Sequence, residues 1–468
     1  MIAADRIIGD PSIRARLYGG RHVIWLDVTP DQLVERLRAA RPEDLGIEGD
    51  IRTFVADHLA TYRPYYLAGT RIDASGSVAA AISQIDPLLA RPIGSGTLVL
   101  RIEVRGGLIE LGEGILGRSL GHVLGRLAVR RCAVITSARD LDRAAAAVDV
   151  VRAIADVPVD VEELPEGEPS KQLEEQEQLF RRLARHRFER GDPLIALGDD
   201  ALLEAATFAA AVWLRGVPLI AIPVTTLGLI DTSIGGKGGI DLPGVGRNLL
   251  GAIHQPVATI LDVGLVEGES AADRRSALAE VVKVGLIADA GLLSLLETVG
   301  QAMPGELWPQ GSELLELVER CALAKRRLVL LDERDTGDVR AALNLGHTLS
   351  HALEAATGFQ LRHGEAVAYG LRAALDIGTS MGVTPAAIAA RATRLLDRLE
   401  LATEPLDVPV ADVLEYIEAD KKRREGRLRW VLVGLDGVTM RDDVPPSIAH
   451  RAVASALAGH RSHPPSRS

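Results

Sequence analysis

Several features are scarce in this chain of 468 residues, and each scarcity excludes a class of protein. Two cysteines, Cys132 and Cys321, are too few for a disulfide framework or a cysteine-rich zinc site. Lys and Arg number 53 against 64 Asp and Glu, which argues against a nucleic-acid-binding surface. The sequence has no run of about 18 uncharged apolar residues and no apolar signal-peptide core at its N-terminus. We therefore expect no membrane span and a location in the reducing cytoplasm.

Apolar residues make up 47% of the chain, which is ample for a buried core. Strand-like and helix-like stretches alternate over residues 97–265, where the predicted strands are TLVLRIEV, CAVITS, VDVEELP, PLIALG and PLIAIPV. Repeated β-α units predict a mainly parallel, doubly wound sheet. Helical periodicity dominates about residues 266–400, and one late strand is predicted in RLRWVLV. The expected fold class is an α/β domain followed by an all-α domain.

Three further segments complete the predicted organisation. Residues 1–88 alternate strand and helix patterns and predict a partial α/β segment. Residues 89–96 contain proline and glycine and predict a linker. The polar tail, residues 457–468, is expected to be disordered.

Histidines cluster in the helical region. Asn344, His347 and His351 recur at spacings of three and four in ALNLGHTLSHALE, which predicts one helix face, and His363 begins the next helical stretch. Spacing alone nominates His347 and His351 as metal ligands, although such a pair also occurs without a metal. The segment HTLSH lacks the glutamate of HExxH, so a zinc protease is not expected.

Two other clusters contain residues suited to metal or anion binding. Glu280 and Lys283 share a helix face in ALAEVVKVG, and a carboxylate with two imidazoles would form a three-ligand zinc site. The glutamate could equally be a salt-bridge partner. In IGGKGG, glycines flank Lys237 and would let the backbone approach an anion, although the spacing is not that of a P-loop. The alternative for this segment is a flexible surface loop.

Together these motifs resemble the 3-dehydroquinate synthase family of the sugar-phosphate cyclases. The resemblance spans about residues 97–440 and is carried, in the family's order, by PEGEPSK, FAAAVWLRGV, DTSIGGK, RNLLGA, LAEVVKVGLI, LNLGHTLSHALE, HGEAVAYG and DKK. It implies an NAD-binding α/β domain over 97–265, a helical zinc and substrate domain over 266–456, and a homodimer.

The resemblance also implies roles for individual residues. The zinc ligands would be Glu280, His347 and His363, with Co²⁺ as an alternative metal. The catalytic residues would be His351, which is then not a ligand, with Lys283, Asp231 and Asn344. The other substrate-binding residues would be Lys237, Arg247, Asn248, Lys325, Arg340, Lys421 and Lys422. The NAD-binding residues would be Glu168, Lys171, Gly198, Thr225, Asp231 and Lys237.

The implied reaction converts 3-deoxy-D-arabino-heptulosonate 7-phosphate into 3-dehydroquinate and phosphate, a step of the shikimate pathway. It proceeds by transient oxidation with NAD, phosphate elimination, reduction and intramolecular aldol closure. The substrate carries a carboxylate and a phosphate, which explains several Lys and Arg in one site. Two alternatives stay open: another sugar-phosphate cyclase, or a non-catalytic relative with weakened NAD binding.

The chain departs from the family pattern where NAD is expected to bind. In ALGDDALLEAATF, Gly198 remains, but Asp199 and Asp200 replace two glycines, and Leu203 and Glu204 stand where Gly and Asp are usual. A pyrophosphate needs uncovered backbone N–H groups, and nearby carboxylates repel it. We therefore expect weakened NAD binding unless both aspartates lie in a tolerated turn with their side chains in solvent.

Other departures are smaller. Ser137 and Arg139 replace the family's Asp and Asn near the adenosine ribose, and Arg139 could offset the aspartates or favour a 2′-phosphate. Val224 replaces a threonine, and Arg247 replaces a lysine. Compared with the family pattern, one extra residue lies between Lys325 and Arg340, within DERDTGDVR. We expect it to change the position of the Arg340 side chain.

Residues 1–88 resemble, more weakly, the carboxy-terminal half of shikimate kinase. The resemblance is carried by VIWLDVTPDQLVERLRAARPED and YRPYYLAGTRIDASG. The phosphate-binding pattern GxxxxGK[ST] is absent from the sequence, so we expect no kinase activity.

Overall fold

The computed structural model describes most of the chain and divides it into two compact units. The described residues are 24–27, 29–39, 50–56, 70–73, 97–104, 107–155, 157–242, 246–299, 311–423, 428–435 and 437–459. The first unit contains those up to Val224 together with Gly236–Glu267, and the second contains Thr225–Gly235 and those from Gly268 onwards. The predicted linker and the predicted tail beyond Gly459 lie outside the described residues, and the predicted domain boundaries stay predictions.

The N-terminal part of the first unit contains a small parallel strand pair. Strands β1 (Ile24–Asp27) and β2 (Thr70–Asp73) pair in parallel, and helix α1 (Pro30–Ala39) follows β1. Thr29 and Gln32 form a reciprocal capping box at the start of α1: the Gln32 N–H donates to Thr29 Oγ1, and the Thr29 N–H donates to Gln32 Oε1. Proline as the first helical residue adds a further start signal. The kinase-like resemblance of this region stays a prediction.

A seven-stranded sheet forms the core of the first unit. Its spatial order is β3-β4-β11-β8-β7-β5-β6, and every neighbouring pair is parallel except the antiparallel pair β3–β4. The predicted mainly parallel sheet is thereby confirmed. The strands are β3 (Thr97–Val104), β4 (Gly107–Glu113), β5 (Cys132–Thr136), β6 (Val159–Glu163), β7 (Leu194–Gly198), β8 (Leu219–Pro223) and β11 (Ala258–Asp262).

The central strands are buried along their whole length. Every residue of β5, β7, β8 and β11 is buried, which explains why the sequence shows continuous apolar runs there. The helices that follow these and neighbouring strands are α2 (Leu116–Leu124), α3 (Leu141–Ala155), α4 (Leu173–Arg185) and α5 (Asp200–Val212).

Two elements of the first unit differ from the sequence prediction. Strand β4 lies in a stretch predicted as helical, because it is buried on both faces and shows no alternation of polar residues. The glycine cluster around Lys237, for which a flexible loop was the alternative, forms an antiparallel hairpin of β9 (Lys237–Leu242) and β10 (Gly246–Ile253). Glycine suits this strand because a Cβ at Gly238 would lie 2.4 Å from the Phe208 backbone nitrogen.

Helices build the second unit, as the periodicity predicts. No strand occurs in the described residues from Gly268 to Arg423, and the late predicted strand is confirmed as β12 (Trp430–Gly434), paired with β13 (Gly437–Arg441). None of the helices described in either unit is long and apolar enough to cross a membrane. The longer helices of the second unit are α6 (Ala271–Ile287), α7 (Ala290–Val299), α8 (Ser312–Leu331), α9 (His347–Ala356), α10 (His363–Ser380), α11 (Ala386–Arg398), α12 (Val410–Arg423) and α13 (Pro446–Leu457), and Asp338–Ala341 forms a short helical turn before α9.

Candidate functional site

Three helices of the second unit bring one carboxylate and two imidazoles together. Glu280 comes from α6, His347 is the first residue of α9, and His363 is the first residue of α10. One ligand atom from each lies within 4.8 Å of the other two. Oε1 of Glu280 is 3.7 Å from Nε2 of His347 and 3.4 Å from Nε2 of His363. These are the three residues that the family resemblance assigns to zinc.

Both imidazoles are oriented by their second nitrogen. Nδ1 of His347 lies 3.2 Å from the Leu345 carbonyl oxygen, and Nδ1 of His363 lies 3.0 Å from Oε1 of Glu354. An Nδ1–H that donates to these acceptors leaves the Nε2 lone pair directed at Glu280. Oε1 of Glu280 is buried and accepts no hydrogen bond from a described residue. A buried carboxylate oxygen between two Nε2 atoms fits a divalent cation bound by all three side chains.

The two histidines have opposite electrostatic environments. Burial, Lys283 and the neighbouring imidazoles hold the pKa of His347 well below its ordinary value. Burial also opposes the charge on His363, but Glu280 and Glu354 outweigh it and raise the pKa of His363 to about 10. The second carboxylate, Glu354, thus makes His363 the more basic of the two imidazoles.

A buried ion-pair network adjoins this cluster. Nζ of Lys283 pairs with Oε2 of Glu280 on the same face of α6. Nζ of Lys325, on α8, lies 2.7 Å from Oδ1 of Asp231 and donates to the Asp231 carbonyl at 2.5 Å. Burial acts to raise the pKa of Asp231, yet Lys325 and Lys283 outweigh it and hold this pKa far below its ordinary value. The aspartate therefore stays ionised between two lysines.

The turn that carries Asp231 belongs to the segment Thr225–Gly235 of the second unit. The Gly228 N–H donates to Thr225 Oγ1 at 3.0 Å, which begins this turn. Thr225 and Asp231 thus lie in the second unit, whereas the other residues predicted to bind NAD, Glu168, Lys171, Gly198 and Lys237, lie in the first.

Asn344 and His351 line one cleft of the second unit with His347. The predicted single helix face was wrong for Asn344, because α9 begins at His347 and Asn344 ends a separate short turn, Ala342–Asn344. The ring centroids of His347 and His351 are 5.3 Å apart. His351 is not part of the group of Glu280, His347 and His363, called the metal-type cluster below, so the structure favours the ligand set implied by the resemblance over the pair nominated by spacing alone.

Arg340 is held in a buried position despite the extra residue before it. Its guanidinium donates to the Gly235 carbonyl oxygen and to the Glu333 carbonyl oxygen, both at 2.8 Å, and the residue is 2% exposed. The carboxylate of Asp332 accepts the backbone N–H groups of Gly337 and Arg340, at 3.0 Å and 3.3 Å. Asp332 therefore organises the loop that presents Arg340.

In the first unit, the strand order locates the expected nucleotide crevice. The chain passes from β5 outward to β6 and then returns to β7 on the other side of β5. Ligands of doubly wound sheets bind outside the carboxyl ends of the strands at such a switch point. Gly198 ends β7, and Ser137 follows β5. The side chain of Arg139 pairs with Glu166 at 3.1 Å.

Asp199 does not point into solvent, so that part of the sequence interpretation was wrong. It is the N-cap of α5: Oδ1 accepts the Leu202 N–H at 2.9 Å, and Oδ2 accepts the Gly167 N–H at 3.1 Å. Burial raises the pKa of Asp199, the two N–H groups lower it, and Asp140 raises it further. Asp200 is the first residue of the helix.

Lys171 is a buried cation shared by several carboxylates of the first unit. Its Nζ lies 2.5 Å from Oε2 of Glu204, 3.7 Å from Oε2 of Glu168 and 3.8 Å from Oδ1 of Asp241. Arg247 also pairs with Glu168. The structure thus brings together Glu168 and Lys171, both predicted to bind NAD, with Arg247, predicted to bind substrate.

The remaining predicted residues are placed as follows. Lys237 begins β9 and is exposed, and the backbone N–H of Asn248 on β10 donates to Oδ1 of Asp241 at 2.7 Å. Lys421 and Lys422 lie on α12, and their side chains fall outside the described ones.

Sequence reasoning missed two residues of the second unit. Glu354, which orients His363, has a signal in hindsight, because it stands seven residues after His347 within LNLGHTLSHALE and so shares its helix face. Arg429 lines the cleft of His351 and pairs with Asp338 at 2.7 Å. No sequence signal marks Arg429, since it lies just before β12 in a segment of ordinary composition.

Comparison of the sequence with known proteins finds matches to 3-dehydroquinate synthases. Models of the N-terminal and C-terminal parts of 3-dehydroquinate synthase match residues 161–276 and 277–423. A 3-dehydroquinate synthase of Pseudomonas aeruginosa (strain LESB58) is 37% identical over 362 residues, which cover 75% of this chain and 95% of the relative.

Solved structures with the same fold are also found. One is 2-epi-5-epi-valiolone synthase from Streptomyces hygroscopicus with NAD⁺ and Zn²⁺ bound, at a TM-score of 0.66 and 25% identity, covering 76% of this chain and 97% of that one. Another is 2-deoxy-scyllo-inosose synthase complexed with carbaglucose-6-phosphate, NAD⁺ and Co²⁺, at a TM-score of 0.66 and 22% identity, covering 75% and 96%. The fold class predicted from the sequence is confirmed by these neighbours.

Proposed function

We propose that this chain, which belongs to the 3-dehydroquinate synthase family, converts 3-deoxy-D-arabino-heptulosonate 7-phosphate into 3-dehydroquinate and phosphate. The observation that carries the proposal is the convergence of Glu280, His347 and His363, each imidazole oriented through Nδ1, beside the buried pair of Asp231 and Lys325. The enzyme is thus a lyase of the shikimate pathway, and it uses NAD and a divalent cation.

The metal-type cluster fits Zn²⁺, with Co²⁺ as a second candidate. Glu280, His347 and His363 would hold the cation, and three protein ligands leave a position for substrate. The cation, when bound, acidifies a substrate hydroxyl and so eases its oxidation. Glu354 supports the site by holding the ring of His363 in one orientation.

NAD is the redox cofactor of the proposed reaction. The residues proposed to contact it from the family motifs are Glu168, Lys171, Gly198, Thr225, Asp231 and Lys237. Support comes from the doubly wound sheet with its switch point between β5 and β7, and from the NAD⁺ bound in a structural neighbour. Bound NAD would supply a reversible hydride acceptor, so that no cofactor would be consumed overall.

The chain's own side chains bind the substrate and move its protons. Lys283, Lys325 and Arg340 supply positive charge in the second unit, which suits the carboxylate and phosphate of the substrate. Burial lowers the pKa of Lys325, while Asp231, whose Oδ1 lies 2.7 Å from Nζ, favours the charged form of the lysine. His351, in the cleft with Asn344, would transfer protons, and Asn344 would orient a substrate hydroxyl.

Further substrate contacts are assigned to residues outside that cleft. Lys237, Arg247 and Asn248 lie on the hairpin of β9 and β10, and Lys421 and Lys422 lie on α12. Their support is the match to the family motifs DTSIGGK, RNLLGA and DKK.

The cellular setting of the enzyme is also a proposal. Both cysteines are buried and unpaired, which suits the reducing cytoplasm. A homodimer is proposed from the family resemblance, and β10 leaves Leu249, Leu250 and Ile253 exposed for a contact. Sedimentation equilibrium of the full chain would measure the oligomeric state.

The decisive experiment is a turnover assay on the full chain. The purified protein is incubated with the seven-carbon keto acid phosphate, NAD and Zn²⁺, and release of phosphate and of 3-dehydroquinate is followed together. We expect equal amounts of both products. A parallel panel of other six- and seven-carbon sugar phosphates separates the alternative cyclases. The function is refuted if the folded, Zn²⁺-loaded protein forms no 3-dehydroquinate at saturating NAD.

A further inference from the structure

The Asp199 side chain, directly after β7, accepts hydrogen bonds from two backbone N–H groups. Its two carboxylate oxygens accept different N–H groups, one from Leu202 in the first turn of α5 and one from Gly167 in the loop before Glu168. The first contact is a helix cap, and the second ties two loops of the first unit together. One carboxylate of the protein itself thus accepts backbone N–H groups from two separate segments.

These donors lie where a dinucleotide is expected to place its pyrophosphate. In doubly wound sheets, the pyrophosphate sits at the N-terminus of a helix that follows a strand at the switch point. Strand β7 borders that point, and α5 begins directly after Asp199. An anionic ligand and the Asp199 carboxylate therefore require the same N–H groups.

The charges around Asp199 add to this competition. Asp140 and Glu166 both interact unfavourably with its carboxylate. The nearby guanidinium groups are engaged by the same carboxylates, since Arg143 lies 2.5 Å from Asp140 and Arg139 lies 3.1 Å from Glu166. A pyrophosphate brought to this loop would meet more negative than positive charge.

We propose that Asp199 is a built-in competitor of the cofactor pyrophosphate and sets a low affinity for NAD. The cofactor binds here only when the Asp199 carboxylate gives up the Leu202 and Gly167 N–H groups. This inference rests on the proposed use of NAD. It separates Asp199 from Asp200, which adds charge at the start of α5 but does not cap the helix.

Two substitutions separate the charge of Asp199 from its hydrogen bonds. Asp199→Gly frees both donors, and glycine is a tolerated N-cap that costs little stability. Asp199→Asn removes the charge and keeps one acceptor oxygen, which can accept one of the two N–H groups. Asp149→Asn, at an exposed position in the middle of α3, is the matched control for loss of one carboxylate from the same unit.

The measurement is the NAD dissociation constant of the full-length, Zn²⁺-loaded protein by isothermal titration calorimetry, with thermal unfolding as a check of folding. We expect Asp199→Gly to tighten NAD binding about tenfold or more, Asp199→Asn to tighten it less, and Asp149→Asn to change it less than about twofold. ADP-ribose, which keeps the pyrophosphate and lacks nicotinamide, should show the same gain.

Three results would overturn the inference. One is NAD affinity in Asp199→Gly within about twofold of the wild type, and another is the absence of measurable NAD binding in that variant. The third is a gain for NAD that ADP-ribose does not share, because the effect would then lie away from the pyrophosphate. The proposed function is judged separately: wild-type turnover to 3-dehydroquinate would stand even if Asp199 had no influence on NAD.

Discussion

At the scale of single residues, His363 and His351 look interchangeable in the sequence but have different surroundings. Nε2 of His363 faces Glu280 at 3.4 Å, and its Nδ1 is fixed by Glu354. His351 lies one helical turn beyond His347, with its ring edge-on to that of His347. The contacts of both ring nitrogens, rather than the presence of an imidazole, support the proposal that His363 is a metal ligand and His351 is not.

This difference predicts the metal content of two alanine variants. His363→Ala should lose bound Zn²⁺ from a protein that otherwise holds one equivalent, because a two-ligand site binds the cation much more weakly. His351→Ala, one turn along the same helix from His347, is the control and should keep it. The check is metal analysis after gel filtration. Retention of a full equivalent by His363→Ala, or its loss from His351→Ala, would contradict the assignment.

Residue types and family motifs were enough to nominate the metal-type cluster, whereas spacing was not. The spacing of His347 and His351 describes one helix, and a metal site needs side chains that converge from several helices. That convergence depends on how α6, α9 and α10 pack. Asp199 shows the same limit, because its N–H partner at Gly167 lies 32 residues earlier in the chain.

At the scale of elements, two glycines of α10 set the distances within the metal-type cluster. A Cβ at Gly364 would lie 1.9 Å from the Ser276 carbonyl oxygen of α6, and one at Gly370 would lie 1.9 Å from the Gly346 carbonyl oxygen before α9. Helix α10 therefore touches backbone at both places. These approaches allow His363 to reach Glu280 and His347.

Gly370→Ala tests this packing. Alanine is the better helix former by about 1 kcal/mol, but the overlap with backbone costs about 1–3 kcal/mol. We expect net destabilisation in urea unfolding and weaker Zn²⁺ binding. Gly191→Ala is the control, because a Cβ there meets nothing within 4 Å. A Gly370→Ala protein as stable as the wild type, with unchanged Zn²⁺ affinity, would contradict this account.

Elements with a strong local signal were predicted, and those defined by tertiary contact were not. Strands β5, β7 and β8 are short apolar runs, and β7 and β8 end at glycine and proline, so the sequence marks them. Strand β4 also has glycine at both ends, Gly107 and Gly114, but Glu110 interrupts its apolar run, so the run is not marked as a strand. The hairpin of β9 and β10 is glycine-rich because it packs closely on Phe208 of α5, a contact that composition cannot show.

At the scale of the whole molecule, one buried carboxylate links stability to pH. Glu110 on β4 is 1% exposed, its Oε1 lies 2.5 Å from a guanidinium nitrogen of Arg101 on β3, and Nδ1 of His122 lies 3.0 Å away. Burial acts to raise the pKa of Glu110, but His122 and Arg101 outweigh it and lower it below 4.5. The unfolded chain therefore binds this proton at a higher pH than the folded chain.

The sign of the effect follows from linkage. A lowered carboxyl pKa stabilises the fold above the unfolded value and loses that contribution as pH falls through the folded value. We expect the free energy of unfolding to fall below about pH 4.5, and more steeply in the wild type than in Glu110→Gln. Urea unfolding at a series of pH values is the check, with Glu177→Gln, an exposed pair with Arg181, as control. Equal acid slopes for all three proteins would contradict this role.

The three residues of the metal-type cluster are far apart in the chain, and this has a consequence for stability. During synthesis Glu280 leaves the ribosome well before His347 and His363. The metal-type cluster is therefore incomplete until α10 has also been made. A cation that needs all three side chains can bind only after α6, α9 and α10 have docked. The cation therefore binds the folded chain and not the unfolded one, and it stabilises the folded chain by mass action. Zinc should thus raise the unfolding midpoint of the chain as its free concentration rises.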